Sequence, residues 1–289
     1  MRGRIKKAIA GFFYVDHAEE IYECKAKGIF RNQEIKPLVG DEVEFTIVDE
    51  EKKTGNIFSI LPRRNSLIRP ALSNIDTVLV VISVAKPKPQ LYLLDKYLVY
   101  IQSRGIVPAI IWNKADLEEE EPEYVGIYRR AGFDCLYISA ICEEGIAALR
   151  QYLKGRTGAF AGPSGVGKST LLNCLLPAAA METGSISRKI ERGKHTTRHS
   201  ELFRIDRDTY VFDTPGFSSI SLEHIDKSEL WQYYPEFVDA AGECRFSLCS
   251  HISEPGCRIK KILGSEELSL LRYENYTKLY KELANIKQY

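Results

Sequence analysis

Nine residues constrain this chain more than any others: Gly162-Pro163-Ser164-Gly165-Val166-Gly167-Lys168-Ser169-Thr170. Two glycines with four residues between them, followed by Lys and Ser, make a phosphate-binding loop when a strand precedes and a helix follows. Thr157 to Ala161 is short and partly apolar, as such a strand would be, and Leu171 to Leu176 reads as a helix. Glycines let the backbone curl so that successive N–H groups face a polyphosphate, and the helix N-terminus adds partial positive charge. In that setting Lys168 reaches the outer phosphates and Ser169 holds a bridging magnesium ion. The alternative, an ordinary glycine-rich turn, requires neither this spacing nor these flanks. The loop predicts nucleotide binding and an α/β sheet to carry it.

The surrounding chain supplies that sheet. Thr77 to Val84 is a continuous apolar run, as expected of a strand buried on both faces. A helical stretch from Leu91 to Ser103 follows, then a second buried strand, Val107 to Trp112. Helices near Glu121 to Ala131 and Glu144 to Lys154 flank the strand Cys135 to Ser139. Strands alternating with helices predict a doubly wound α/β domain, whose ligands sit at the carboxyl ends of its strands.

The strand ending at Trp112 delivers Asn113-Lys114-Ala115-Asp116 to that rim. This is the Asn-Lys-x-Asp pattern of guanine recognition. The carboxylate of Asp116 would accept from the ring N1–H and the exocyclic amine, and adenine offers no such pair of donors. A site built for those donors leaves a carboxylate unpaired against adenine, which is a large penalty. Ser139 and Ala140, ending the next strand, are placed to contact the guanine carbonyl through the backbone. Here the base-reading residues precede the phosphate loop, the reverse of the usual GTPase order. A site needs only the right loops around one rim, so joining the ends and reopening the chain elsewhere rebuilds it. The order predicts a circular permutation.

Beyond the phosphate loop lie Gly193-Lys194-His195-Thr196-Thr197-Arg198-His199 and, after the apolar Tyr210-Val211-Phe212, Asp213-Thr214-Pro215-Gly216-Phe217. The second matches the Asp-x-x-Gly switch, with Asp213 holding magnesium through water and the Gly216 amide sensing the terminal phosphate. One of Thr196 and Thr197 closes over magnesium, and spacing does not choose between them; Thr197 is carried forward as the ligand beside Ser169. Arg188 to Arg198 holds five basic residues against one acidic, which suits either a solvated loop or an RNA-contacting switch. Phe217 stands where a water-positioning glutamine is common, so intrinsic hydrolysis is expected to be slow. His195 is the candidate substitute; its other reading is a loop or RNA-contacting residue.

Toward the C-terminus, Cys244, Cys249, His251 and Cys257 follow the spacing Cys-x4-Cys-x-His-x5-Cys. Three thiolates and an imidazole suit a closed structural zinc site, with no position left open for catalysis. Cys24, Cys135, Cys142 and Cys174 have no such grouping and read as ordinary buried thiols. Zinc would compensate for a region too small to hold a large core. Helices over Lys227 to Tyr234 and Ser265 to Ile286 are expected to pack around it, and Arg258, Lys260 and Lys261 are a basic turn or an RNA contact.

The N-terminal part differs again. Ile9 to Val15, Glu20 to Ala26, Gly28 to Gln33, Glu42 to Val48 and Gly55 to Leu61 read as short strands, which predicts a five-stranded oligonucleotide-binding (OB) barrel. Phe12, Phe13, Tyr14, Tyr22 and Phe30, beside Lys6, Lys7, Arg31, Arg63 and Arg64, either fill the barrel or form a stacking and phosphate surface. Arg63 to Asn74 reads as a linker. The organisation predicted is thus a multidomain α/β protein: an OB-type barrel (1–70), a circularly permuted P-loop GTPase domain (71–221) and a helical zinc-binding domain (222–289).

Composition narrows the remaining choices. A net charge of +1 means that any RNA contact comes from local patches. No run reaches the length of a membrane span and Met1 to Lys7 has no apolar signal stretch, so a cytoplasmic protein without a membrane partner is expected. No motif for an acceptor substrate is present, which disfavours a metabolic kinase; an RNA-binding scaffold with structural nucleotide remains the other class.

Taken together, the barrel, Asn113-Lys114-Ala115-Asp116 ahead of the phosphate loop, Asp213-Thr214-Pro215-Gly216-Phe217 and the zinc spacing resemble the ribosome-small-subunit-dependent GTPase A family of circularly permuted bacterial GTPases. The resemblance spans the whole chain, and the hydrophobic residue at Phe217 suits it. It implies a GTP-hydrolysing factor, with Mg and one structural Zn, that binds the immature small ribosomal subunit and its rRNA late in assembly. It further implies slow hydrolysis until the subunit stimulates it and an association with release of another assembly factor. The chain is expected to act as a monomer.

Overall fold

A computed structural model describes residues 1–26, 36–176, 200–213 and 220–286. The chain forms two compact units and crosses between them repeatedly: Met1–Val78, Ile146–Phe160 and Lys168–Phe217 make the first, and Leu79–Gly145, Ala161–Gly167 and Ser218–Tyr289 the second.

In the first unit, β1 (Arg2–Ile9), β2 (Phe12–His17), β3 (Glu20–Ala26), β4 (Glu42–Asp49) and β5 (Thr54–Ile60) run in the order β1-β2-β3-β5-β4. An antiparallel β1–β4 ladder, Arg2 opposite Glu44, closes them into the expected five-stranded barrel. Period-two alternation fills it: Ile5, Phe13, Val15, Tyr22, Cys24, Val43, Phe45 and Ile57 form the core. Phe13 and Tyr22 are therefore core residues, while Phe12 and Tyr14 point to the other face of β2 and stay partly exposed.

The expected strand Ile9 to Val15 is instead a hairpin corner, because Ala10 and Gly11 both take positive φ (50° and 87°), as a tight two-residue turn requires. β1 carries no strand signal in the sequence because Arg2, Arg4, Lys6 and Lys7 mask its alternation. Each is paired, with Glu44, Glu42, Asp16 and Glu201 respectively. The expected strand Gly28 to Gln33, with Phe30 and Arg31, lies outside the described residues.

Arg63 to Asn74 is not a free linker. It forms the small ladder β6 (Ser66–Leu67) with β7 (Leu72–Ser73), and Leu67 and Leu72 are buried. Arg63 clasps the fully buried Asp41 with Nε and Nη2 at 2.7 and 2.8 Å, and Asn74 donates to the Gly40 carbonyl at 3.1 Å. Arg63 and Arg64, which pairs with Asp76, are thus engaged within the protein. The same unit holds β11 (Thr157–Ala161) parallel to β13 (Tyr210–Asp213), with β12 (Glu201–Arg204) antiparallel beside β13 and meeting β1 at Lys7 opposite Glu201.

The second unit carries β8 (Thr77–Ser83) from Leu79 onward, α1 (Leu91–Gln102), β9 (Val107–Asn113), α2 (Glu123–Arg130) and β10 (Asp134–Ile138), with strand order β10-β9-β8. β9 and β10 are parallel, and every residue of β8 is buried, as its uninterrupted apolar run predicts. The helical end comprises a 3-10 segment (Lys227–Tyr233), α5 (Pro235–Ala241), α6 (Arg258–Lys261) and α7 (Leu270–Asn285). α7 begins at Leu270, later than the expected Ser265, because the Ser269 hydroxyl caps it by accepting from the Leu271 amide at 3.2 Å. α3 (Ile146–Leu153) and α4 (Lys168–Leu175) belong to the first unit. Of the four thiols expected to be buried only Cys24 is; Cys135 and Cys174 are half-buried and Cys142 is exposed.

Candidate functional site

β9 ends at Asn113, which is 2% exposed and whose carboxamide is hydrogen-bonded through both its nitrogen and its oxygen. Its Nδ2 donates to the Val166 carbonyl of the phosphate loop at 2.8 Å, and its Oδ1 accepts from the Ala140 amide at 3.2 Å. One buried side chain thereby ties together three loops that lie far apart in sequence. Lys114 follows in the left-handed region (φ 66°) and donates to the Lys86 carbonyl at 2.5 Å. Ala115 opens a short 3-10 turn that carries Asp116 outward into solvent. The Ser139 hydroxyl donates to Asp116 Oδ1 at 2.5 Å and accepts from the Cys142 amide at 3.2 Å, which orients the carboxylate.

The phosphate loop shows why its glycines are where they are. Gly162 (φ 128°) lies so close to the Val81 carbonyl that a Cβ would collide with it, and a Cβ on Gly167 (φ 98°) would strike the Asn113 carboxamide. Pro163 lies between Gly162 and Ser164; Ser164 and Gly165 face solvent, and Val166 is buried. α4 starts at Lys168, so Lys168, Ser169 and Thr170 form its first turn, where unsatisfied N–H groups favour an anion. Burial pushes the Lys168 ammonium down to about 8. A polyphosphate anion beside it would raise that value again.

Asp213 terminates β13, opposite Glu201 of β12, and β13 runs parallel to β11 with Phe212 opposite Ala159. The chain therefore leaves β11 and β13 in the same direction. His195, Thr196, Thr197, Gly216 and Phe217, and the basic stretch Arg188 to Arg198, lie outside the described residues.

Cys244, Cys249, His251 and Cys257 converge, with their ligand atoms all within 4.8 Å of one another. His251 Nδ1 is 3.6 Å from Cys244 Sγ and 3.5 Å from Cys257 Sγ, and the two sulfurs are 4.0 Å apart. A tetrahedral zinc ion with ordinary bond lengths sets these edges at about 3.6 Å for S···N and about 3.8 Å for S···S. The donor set and its spacing fit the metal. Burial lowers the His251 pKa, favouring the neutral ring that a ligand must be.

Several supporting residues gave no signal in the sequence. Glu254 accepts from the amides of Ser250, Ile252 and Ser253 at 2.8, 3.2 and 3.1 Å. Burial pushes its carboxyl up, but hydrogen bonds from Ser250 and from the loop's backbone amides prevail and hold it at about 2. Tyr273 and Tyr276 donate to the carbonyls of His251 and Ser250, each at 2.8 Å. Only their three-residue spacing on one face of α7 could have suggested a shared role. Arg258 of the basic turn pairs with Glu243 and Glu267, whereas Lys260 and Lys261 are exposed.

Residues 60–223 match the family profile described as RsgA GTPase, and residues 2–57 match the RsgA N-terminal domain. A relative from Agathobacter rectalis, named small ribosomal subunit biogenesis GTPase RsgA, is 50% identical, with all of both chains covered. One of the same name from Ruminiclostridium cellulolyticum is 47% identical, covering 99% of this chain and 95% of that one. Among solved structures, YjeQ from Thermotoga maritima superimposes with a TM-score of 0.82 at 34% identity, covering 99% of each chain. YloQ, described as a circularly permuted GTPase, does so at 0.81 and 32% identity, covering 100% of this chain and 96% of that one. Among the described residues no helix is long and apolar enough to cross a membrane.

Proposed function

The chain belongs to the RsgA GTPase family, and from that premise we propose that it hydrolyses GTP while assisting late maturation of the small ribosomal subunit. The observation that carries this reading is the Asn113 carboxamide, which joins the base-reading loop to the phosphate loop despite their reversed order in the chain. Asp116, oriented by Ser139, reads guanine; Ala140 offers its backbone to the guanine carbonyl; Gly162 to Gly167 cradle the phosphates. Lys168 neutralises the outer phosphates in the transition state as in the ground state.

Ser169, one of Thr196 and Thr197, and Asp213 through water are the residues that would hold magnesium, whose charge offsets that of the phosphates. Zinc held by Cys244, Cys249, His251 and Cys257 is structural. The functional division follows 1–70 for the barrel, 71–221 for the nucleotide domain and 222–289 for the zinc domain. The barrel contributes Phe12, Tyr14 and Lys25 to an RNA-facing surface, since Lys25 lies over the Phe12 ring at 5.2 Å on the outer side of β2 and β3.

With Phe217 in place of a water-positioning residue, hydrolysis is slow until contact with the subunit and its rRNA places His195 to orient water. GTP orders the segments around Thr196 and Gly216, hydrolysis relaxes them, and the protein leaves as a monomer in the cytoplasm, with a second assembly factor released in the same stage. The test is GTP turnover with and without small subunits. His195→Ala should retain GTP affinity and lose stimulated turnover; unchanged stimulated turnover removes His195 from the mechanism. If the subunit does not stimulate the wild type at all, the timer reading fails.

A further inference from the structure

A continuous set of contacts runs from the base-reading loop to the zinc loop, entirely within the second unit. Lys114 donates to the Lys86 carbonyl, Tyr124 donates to the Val84 carbonyl at 2.7 Å, and Tyr128 donates to the Leu91 carbonyl at 3.1 Å. Leu91 is the first residue of α1, and Lys86 and Val84 belong to the segment that leads from β8 into it, so α2 holds the start of the helix while the guanine loop and α2 hold the segment before it. Asp95, one turn into α1 and fully buried, accepts from Arg272 and from Asn275 Nδ2, the latter at 2.7 Å. Arg272, 1% exposed on α7, grips Glu236 of α5 with its other edge, Nε to Oε1 at 2.6 Å and Nη2 to Oε2 at 3.2 Å. The rings of Tyr234, Tyr128 and Phe133 surround its guanidinium at 4.4, 5.1 and 5.3 Å. Its neighbour Tyr273, with Tyr276, anchors α7 to the carbonyls of His251 and Ser250.

We propose that Asp95 and Arg272 are positioning residues for guanine recognition, linking Lys114 to the zinc loop so that metal and guanine nucleotide each tighten the other's binding. The physical reason is shared geometry. Metal binding shapes a loop that the ligands alone would not hold, and only that shape presents the Ser250 and His251 carbonyls to α7. The register of α7 places Arg272, a rigid fork that accepts one arrangement of its two carboxylates. Through Asp95 that arrangement sets α1, and the segment leading into α1 carries the Lys86 carbonyl that receives Lys114. A nucleotide that fixes Lys114 and a metal that fixes His251 therefore favour the same packing of α1 against α7. Thermodynamic linkage then requires the two effects to be equal in size.

This rests on the guanine reading above, and the experiment separates the two. GDP affinity is measured by fluorescence at saturating zinc and after chelation, and zinc affinity is measured by competition with a chromophoric chelator, with and without saturating GDP. Zinc removal should weaken GDP about fivefold or more, and GDP should strengthen zinc by the same factor. Asp95→Asn leaves Arg272 paired with Glu236 and preserves side-chain volume, so it should fold, yet its coupling factor should fall toward one. A wild-type factor of one, or an undiminished factor in Asp95→Asn, overturns the proposal. Should the zinc-free chain unfold by circular dichroism, the comparison moves to zinc-loaded protein. There Asp95→Asn must bind GDP several-fold more weakly than wild type, and equal binding overturns the link. Failure of zinc-loaded wild type to bind GDP would remove the guanine site itself, whereas GDP binding indifferent to zinc removes only the link.

Discussion

Asn113→Ala is the sharpest perturbation of the nucleotide site. The side chain is 2% exposed, and its two hydrogen bonds, 2.8 Å to the Val166 carbonyl and 3.2 Å from the Ala140 amide, hold three loops in register. Alanine removes a partner from each of two buried backbone groups, and each such loss costs about 1–3 kcal/mol. A water entering the vacated space would recover part of this, leaving a net of about 3 kcal/mol. The loops would then be free to separate in the empty protein, and nucleotide binding would have to restore their order. At 1.4 kcal/mol per decade, that predicts a loss of about two orders of magnitude in GDP affinity. Fluorescent GDP titration measures it, and zinc content together with the thermal melt shows that the rest of the chain stays folded. A loss below about threefold in a variant with wild-type zinc content would refute the assignment of Asn113 as the tie between the loops.

Three further outcomes are expected. Because Lys168 titrates at about 8 in the empty site, GDP binding near pH 8 should take up about half a proton, seen as buffer-dependent heat in calorimetry and absent in Lys168→Met. The same depressed value means that the unfolded chain binds the extra proton, so this residue costs stability below pH 8, and the cost is relieved as pH rises from there toward 10.5. Asp116→Asn exchanges an acceptor for a donor and should shift preference from guanine to xanthine nucleotides by about a hundredfold or more, measured by competition binding; retained guanine preference would exclude Asp116 as the reader. Cys249→Ser should abolish stoichiometric zinc and lower the melting temperature by several degrees, and full zinc content in that variant would show that Cys249 is no ligand.

Local sequence determined the chemistry of this protein. The phosphate loop, the Asn-Lys-x-Asp run and the Cys-His spacing are short patterns whose meaning lies in backbone curvature, donor complementarity and ligand softness, all carried by neighbouring residues. The buried strands were legible for a related reason, since a sheet covered on both faces demands an unbroken apolar run such as Thr77 to Ser83. β1 was not legible, because its Arg and Lys are matched by acidic residues that tertiary pairing brings alongside, as far away as Glu201. Nor could spacing show that Arg63 serves Asp41, or that Asp95, Glu236 and Arg272 meet in one buried cluster across more than a hundred residues of chain. A buried charge is tolerable only beside its partner, and which partner arrives is decided by how helices and strands pack. Sequence alone named the residues proposed to meet nucleotide and metal, whereas only the folded chain decided what holds those residues still.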